Sequence, residues 1–287
     1  MPERIVRAMS QPVIDHRGPT FGALVHDCLA GLKDVFQTTR GQIVLYPGSG
    51  TGAWEAALVN TLSPGDRVLA CVNGHFSTGF ANTAAAYGMD VERLDVAYGE
   101  GVPAERVAAR LAADGAHELR AILVVHNETS TGVTSNVAAV RAALDDARHP
   151  ALLLVDTVSS LASIDFRFDA WGVDVALTGP QKGLMLPPGM AILAASERAL
   201  TAAEQAKCPR AFWDWRPVLE RNRRASFHTR RPPCCCSGCG RRWRCCATRG
   251  CPTCSRGTPA WPRRAGAPSA RSASASSASG PRSIPTR

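Results

Sequence analysis

Short apolar segments alternate with longer segments in which apolar residues recur at helical spacing. Strands that alternate with helices of ten to fifteen residues indicate right-handed βαβ units. Strands are predicted at 42–46, 67–72, 91–96, 121–126, 152–155, 173–177 and 190–195. Helices are predicted around residues 21–32 and 54–61 and at 76–87, 103–113, 135–148 and 196–206, the last capped by Ser196. The pattern therefore predicts an α/β fold with a mainly parallel sheet flanked by helices.

Two of the predicted strands lead into isolated charges. Leu152–Val155 is followed by Asp156, and the strand at 173–177 is followed by Lys182. The carboxyl ends of parallel strands are where open α/β sheets bind ligands. Asp156 alone could be a helix cap or turn residue, and Lys182 alone a solvated surface residue. Together they match the needs of pyridoxal phosphate, whose aldehyde forms a Schiff base with a lysine and whose ring nitrogen pairs with a carboxylate.

A glycine-rich loop, Gly48–Gly52, joins a predicted strand to a helix. Unpaired amides at a helix N-terminus favour a phosphate, although the loop could equally be a tight turn. A dinucleotide fingerprint also fits the glycines, but that motif requires an acid after the next strand, where this chain has Asn73.

Several further residues keep two interpretations each. The polar segment 127–132 follows a strand, so its hydroxyls either face the same edge of the sheet or cap the next helix. Phe76 either stacks on a planar ring or faces the core. His16, His75 and His126 lack metal-ligand spacing and are predicted either to have structural roles or to support the residues that contact the ligand.

The net charge of +9 invites a nucleic-acid interpretation, but the charge is unevenly distributed. From Arg230 onward there are twelve arginines and no acidic residue, so the first 229 residues are mildly acidic. No apolar run is long enough for a membrane span, and the start does not resemble a signal peptide. Only three cysteines precede that segment, which is typical of a reducing compartment. We therefore expect a cytoplasmic protein that binds neither nucleic acid nor membrane.

The segment from Arg230 to Arg287 has no Leu, Val, Phe or Met, so disorder is predicted there. Eight cysteines lie in it, and Cys236–Cys239 and Cys251–Cys254 have zinc-ligand spacing among arginines. A zinc or nucleic-acid module is therefore an alternative role for this segment. The contiguous Cys234, Cys235 and Cys236 argue against it.

Five segments of the chain resemble one known family. They are 48–60 (GSGTGAWEAALVN), 62–69 (LSPGDRVL), 128–133 (ETSTGV), 155–161 (VDTVSSL) and 178–189 (TGPQKGLMLPPG). These segments are similar to class V aminotransferases of the alanine–glyoxylate and serine–glyoxylate type. The resemblance covers about residues 2–229.

The resemblance implies a homodimeric fold-type I enzyme in which Lys182 holds pyridoxal phosphate and Asp156 pairs with its ring nitrogen. It implies that the phosphate is bound by Ser49, Gly50, Thr51 and Gln181, with Thr229 contributed by the other subunit. Thr129 and Val158 would contact the ring, and Phe76 would take the stacking position where the family often has tryptophan. The implied reaction moves the amino group of serine or alanine to glyoxylate, with serine favoured by the segment after Lys182.

The resemblance divides the chain into an N-terminal segment (1–20), a cofactor-binding large domain (21–229) and a tail (230–287). Translation begins inside a motif of the family, and the tail does not match the family's small C-terminal domain. We expect that domain to be missing and the tail to be the product of a shifted reading frame. Such a chain would bind cofactor with weak or absent turnover. A lyase or desulfurase reaction on the same cofactor is the alternative activity.

Overall fold

The computed structural model describes residues 1–223, and these form eight helices and nine strands. The helices are α1 Glu3–Met9, α2 Pro19–Phe36, α3 Gly50–Thr61, α4 His75–Ala86, α5 Ala104–Ala113, α6 Val137–Asp146, α7 Glu197–Gln205 and α8 Trp215–Arg223. The strands are β1 Gln42–Gly48, β2 Arg67–Val72, β3 Asp90–Asp95, β4 Leu119–Val125, β5 Asn127–Glu128, β6 Val133–Thr134, β7 Leu152–Asp156, β8 Val175–Thr178 and β9 Gly189–Ala195.

Seven strands form one sheet in the order β1-β9-β8-β7-β4-β2-β3. Neighbouring strands from β8 to β3 are parallel, whereas β9 pairs antiparallel with both β8 and β1. A separate short hairpin pairs β5 with β6. The prediction of a mainly parallel α/β sheet is confirmed.

Two apolar cores cover the two faces of the sheet, because side chains alternate between the faces along each strand. In β7, Leu153 and Val155 face one core while Leu152 and Leu154 face the other. The first core includes residues of α1, α2, α5 and α6, and the second includes residues of α3, α4, α7 and α8. The fold is therefore a sheet between two helical layers.

Helix boundaries follow local chemistry that the sequence displays. The Ser49 side chain accepts a hydrogen bond from Gly52 N at 3.2 Å at the start of α3. The predicted Ser196 cap of α7 is present, because its hydroxyl accepts from Ala199 N at 3.2 Å. Helix α6 begins after Asn136, which accepts from Ala139 N. Helix α8 lies outside every predicted element.

No helix among residues 1–223 has both the length and the apolar composition that a bilayer crossing requires. The predicted tail, 230–287, and Thr229 lie outside the described residues.

Candidate active site

A pocket of about 200 Å³ lies at the carboxyl ends of the central strands. Its walls come from the β1–α3 loop, the first turn of α4 and the segments that follow β4, β7 and β8. The lining residues are Ser49, Gly50, Thr51, Trp54, Phe76, Val125, Asn127, Thr129, Asp156, Val158, Ser159, Gln181 and Lys182. The structure thus brings together every predicted site residue except Thr229.

Asp156 and Lys182 reach this pocket because their strands are neighbours. Asp156 ends β7, and its register partner on β8 is Leu177. The Thr157 hydroxyl donates to Leu177 O at 3.0 Å, which fixes the two strand ends beside each other. Lys182 follows β8 in a tight loop closed by a hydrogen bond from Leu186 N to Pro180 O at 3.0 Å.

The backbone beside Lys182 has room only for glycine. A Cβ atom at Gly183 would lie 2.2 Å from Leu161 O, far inside contact distance. The loop therefore packs directly against the segment that follows β7. The position of Lys182 behind a buried strand and among glycines and prolines predicts a sheltered lysine, but the residue is exposed where it lines the pocket.

The carboxylate of Asp156 is buried, with 3% of the residue exposed. Its Oδ1 accepts from Val158 N at 2.7 Å, and its Oδ2 accepts from the indole Nε1 of Trp54 at 2.6 Å. Burial raises the pKa of Asp156 to about 6, and the two hydrogen bonds act against that rise. The hydrogen bond from Val158 N shows that Asp156 also stabilises the turn after β7, as its interpretation as a turn residue predicts.

The glycine loop packs closely at both of its faces. A Cβ atom at Gly50 would meet the Val158 side chain at 2.8 Å, and one at Gly52 would meet the Trp213 ring at 2.7 Å. Ser49 and Thr51 are exposed at the N-terminus of α3, where first-turn amides lack partners within the helix. The loop therefore offers hydroxyls and amides to an anion.

Phe76 is 37% exposed and lines the pocket, so the core alternative is wrong for this residue.

The polar segment after β4 both lines the pocket and binds the start of a helix. Thr129 is exposed in the pocket. Glu128 and Ser130 accept hydrogen bonds from the first amides of α4, at Ser77 N (2.9 Å) and His75 N (3.0 Å). The predicted cap on the next helix is wrong, since α6 is capped by Asn136.

His126 is buried, and its Nδ1 lies 2.9 Å from Ser160 Oγ. Burial lowers the pKa of His126 to about 4, so the ring is neutral at pH 7. The described residues contain no cluster of His, Cys, Asp and Glu that could hold a metal ion. These findings agree with a structural role for His126.

Four pocket residues were not predicted from the sequence, namely Trp54, Val125, Asn127 and Ser159. Helical spacing predicts Trp54 on one face of α3 with Ala57 and Leu58, and its contact with Asp156 spans 102 positions in the sequence. Asn127 Nδ2 donates to Ser159 Oγ at 2.9 Å, and this bond ties together the segments after β4 and β7. The position of Asn127 directly after a strand was the available signal.

The fold and the pocket are those of the large domain of fold-type I pyridoxal-phosphate enzymes. Residues 8–209 match the family model described as aminotransferase class-V. The chain belongs to the class V aminotransferase family, whose cofactor is pyridoxal 5′-phosphate.

Known relatives agree with this assignment. The chain is 54% identical over 218 residues to L-aspartate–glyoxylate aminotransferase of Paracoccus denitrificans, covering 76% of this chain and 55% of the relative. It is 46% identical over 220 residues to serine–glyoxylate aminotransferase of Arabidopsis thaliana, covering 77% and 55%. The crystal structure of alanine–glyoxylate aminotransferase from Nostoc sp. superposes with a TM-score of 0.80 at 30% identity, covering 88% of this chain and 66% of that one. The chain spans about 55% of the length of these curated relatives.

Proposed function

We propose that the pocket binds pyridoxal phosphate and serves a transaminase that moves an amino group from serine or alanine to glyoxylate. The observation that supports this most directly is the buried carboxylate of Asp156, which has only neutral hydrogen-bond donors among residues 1–223. A cationic ring N–H is the group that such a carboxylate lacks. Gln181 Oε1, also in the pocket wall, is buried without a partner in the same part of the chain and suits a ligand hydroxyl or amide.

The other assignments follow from position in the pocket. Ser49, Gly50, Thr51 and Gln181 would hold the phosphate, and Thr229 of a second subunit would complete that set. Thr129 and Val158 would contact the ring, and Phe76 would stack on it. The bound cofactor supplies an electron sink that makes the α-proton of an amino acid acidic. Lys182 Nζ would anchor the cofactor and then carry that proton.

The homodimer and the cytoplasmic location belong to the same proposal. Phe76, Ile164 and Met185 are large apolar residues between 37% and 38% exposed, and they lie in the pocket wall or in segments packed beside it. A second copy would cover them. The described region has only three cysteines, Cys28, Cys71 and Cys208, all of them buried, and so sparse a use of cysteine suits a reducing compartment. None of these buried thiols suits the mobile cysteine of a desulfurase.

The lysine count allows a direct test of cofactor binding. The chain has three lysines, Lys33, Lys182 and Lys207. After incubation with pyridoxal phosphate and reduction with borohydride, peptide mapping should find the label on Lys182 alone. Lys182→Ala should abolish the label, while Lys33→Ala and Lys207→Ala should retain it. Label spread over Lys33 and Lys207, or persisting in Lys182→Ala, would contradict the proposal.

Turnover is tested separately with the full chain. Serine, alanine and aspartate are compared as amino donors to glyoxylate, with serine expected to react fastest. A faster reaction with aspartate would correct the donor and leave the cofactor site intact.

A further inference from the structure

Among residues 1–223, the side chain that donates a hydrogen bond to Asp156 is that of Trp54. The indole Nε1 donates to Asp156 Oδ2 at 2.6 Å, and Trp54 is 6% exposed. Its position, beneath the carboxylate proposed to meet the cofactor ring, makes its N–H group a candidate for a role beyond packing.

The surrounding helix fixes the indole ring. Trp54 stacks on Phe80 of α4 with ring centroids 5.6 Å apart and an interplanar angle of 17°. A Cβ atom at Gly79 would lie 3.1 Å from the indole, so α4 approaches it as closely as a glycine allows. Two neighbouring residues of one helix thus hold the ring plane, and the direction of its N–H bond is set by packing.

The carboxylate is held by one donor on each oxygen. Val158 N binds Oδ1 and Trp54 Nε1 binds Oδ2. Both donors are neutral, and residues 1–223 place no lysine, arginine or histidine in an ion pair with Asp156. Since two fixed donors define the carboxylate plane, they also define where its remaining lone pairs point.

We propose that Trp54 is a positioning residue that orients the Asp156 carboxylate toward the ring nitrogen of pyridoxal phosphate. This inference rests on the proposed function of the pocket. Trp54 acts through Asp156 and touches neither the reacting carbon nor the transferred amino group in this assignment. A second consequence concerns ionisation, since the indole bond also lowers the pKa of a carboxyl group that burial raises to about 6.

A variant that loses only the indole N–H group of Trp54 distinguishes the positioning of Asp156 from a role in packing. Trp54→Phe removes the donor with a loss of volume. Replacement of Trp54 by β-(3-benzothienyl)alanine puts sulfur in place of the N–H group and keeps the ring shape, so the variant should fold if the wild type does. Trp213→Phe is a matched control, because Trp213 Nε1 also donates to a carboxylate, Glu55 Oε2 at 3.0 Å, on the other side of the loop.

The probes are pyridoxal phosphate and its 1-deaza analogue, in which a C–H group replaces the ring nitrogen. Dissociation constants are measured by equilibrium dialysis with the full chain. The wild type should prefer pyridoxal phosphate over the analogue. Both Trp54 variants should lose roughly tenfold or more of that preference, as expected for a hydrogen bond to a charged group. Trp213→Phe should keep the wild-type ratio even if it weakens both ligands.

Each outcome has a distinct meaning. A wild type that binds neither probe, or binds both equally, contradicts the proposed function of the site. A wild type that discriminates while both Trp54 variants keep its ratio overturns the role of Trp54. Equal loss of the ratio in Trp213→Phe would overturn it as well, because the effect would then be general.

A cofactor-free measurement checks the same inference independently. Carbon-13 NMR of labelled aspartate carboxyl groups, assigned with Asp156→Asn, should show a higher pKa for Asp156 in both Trp54 variants than in the wild type. An unchanged pKa would show that the indole does not act on the carboxylate.

Discussion

Two buried aspartates at opposite ends of the neighbouring strands β7 and β8 differ in what surrounds them. Asp156 ends β7, while Asp174 directly precedes β8, the neighbouring strand. Their exposed fractions are nearly the same, 3% and 2%. Burial raises the pKa of both groups, so the difference lies in their partners.

Asp174 is compensated by its own chain. Its Oδ2 accepts from Leu153 N at 2.9 Å and from Arg198 Nη1 at 3.1 Å, and its Oδ1 accepts from Ser196 Oγ at 2.9 Å. Arg141 Nη1 lies 3.9 Å away. These bonds join β7, the start of β8 and the start of α7. The charge of Asp174 therefore stabilises the fold. Burial raises the pKa of this carboxyl group, and the nearby arginine cations act against that rise.

Asp156 has hydrogen bonds but no cation among residues 1–223, and the nearby Glu128 charge raises its pKa further. The comparison teaches that burial alone does not identify a functional carboxylate. A buried acid whose charge is balanced within the chain holds secondary structure together. A buried acid that has only neutral hydrogen-bond donors is suited to a cationic ligand. When no such ligand is bound, its uncompensated charge lowers the stability of the protein.

The largest expected effect is on the compensated aspartate. Asp174→Ala leaves Leu153 N and Ser196 Oγ without their acceptor and Arg198 without its counterion. We expect a loss of about 3 kcal/mol in the free energy of unfolding, near the lower end for a broken buried pair because Arg198 is partly exposed. Urea unfolding at pH 7 measures it. Asp145→Ala, which removes an exposed partner of Arg141, should cost less than about 1 kcal/mol. Equal losses of unfolding free energy in Asp174→Ala and Asp145→Ala would show that the buried ion pair of Asp174 stabilises the fold no more than an exposed pair does.

The sequence predicted the strands of both aspartates but not their environments. Asp156 stood out as an isolated charge after an apolar run, whereas Asp174 lay inside the predicted strand at 173–177. Arg198 follows Asp174 by 24 positions. Such a pairing depends on how α7 packs against the sheet, and periodicity carries no information on that.

The pocket residues also divide into those that the sequence could predict and those that depend on tertiary packing. Residues at strand ends and in the glycine loop were predictable because parallel topology gathers them at one edge. Trp54 was not, because helical spacing places it among apolar neighbours and only tertiary packing turns its N–H group toward Asp156. For the segment 127–132, the sequence left open whether it lines the pocket or caps the next helix. The helix whose first amides it accepts from, α4, begins about fifty positions earlier in the sequence, and a local pattern does not reveal such a pairing.

A smaller effect of opposite sign is expected at Asp156. Burial raises the pKa of Asp156 from the ordinary value of 3.8 to about 6, so the folded state holds the proton more tightly. The cofactor-free protein should therefore lose stability as pH rises from about 4 to about 6. Asp156→Asn should remove this loss and stabilise the cofactor-free protein by about 2 kcal/mol at pH 7.

Urea unfolding of the cofactor-free protein at pH 4 and pH 7 measures this gain, which should be small at pH 4. The same variant should bind pyridoxal phosphate more weakly, so stability and binding should change in opposite directions. A destabilised Asp156→Asn at pH 7 would mean that this carboxylate belongs with Asp174 as a structural acid.

The smallest change in stability is expected at Glu128, a third buried acid that can be compared with Asp156 and Asp174. It is fully buried and lacks a cation in an ion pair among residues 1–223, as Asp156 does, but it has more donors. Its side chain accepts from Ser77 N at 2.9 Å, Phe76 N at 3.3 Å, and from Ser130 N and Oγ at 3.1 and 2.8 Å. These donors outweigh burial and lower its pKa. The positive end of the α4 dipole acts in the same direction.

Because the folded-state pKa of Glu128 is depressed, its charge contributes stability that is present above pH 4.5, the ordinary pKa of a glutamate, and is lost as pH falls through the folded-state value. Glu128→Gln keeps the shape but directs an NH₂ group at backbone donors, so it should cost about 1 kcal/mol at pH 7 and less in acid. Glu118→Gln, an exposed control, should show a smaller cost at pH 7. A cost for Glu128→Gln that does not change with pH would show that shape, rather than charge, holds the start of α4. Phe76, which lies in that first turn and lines the pocket, would then owe its position to packing alone.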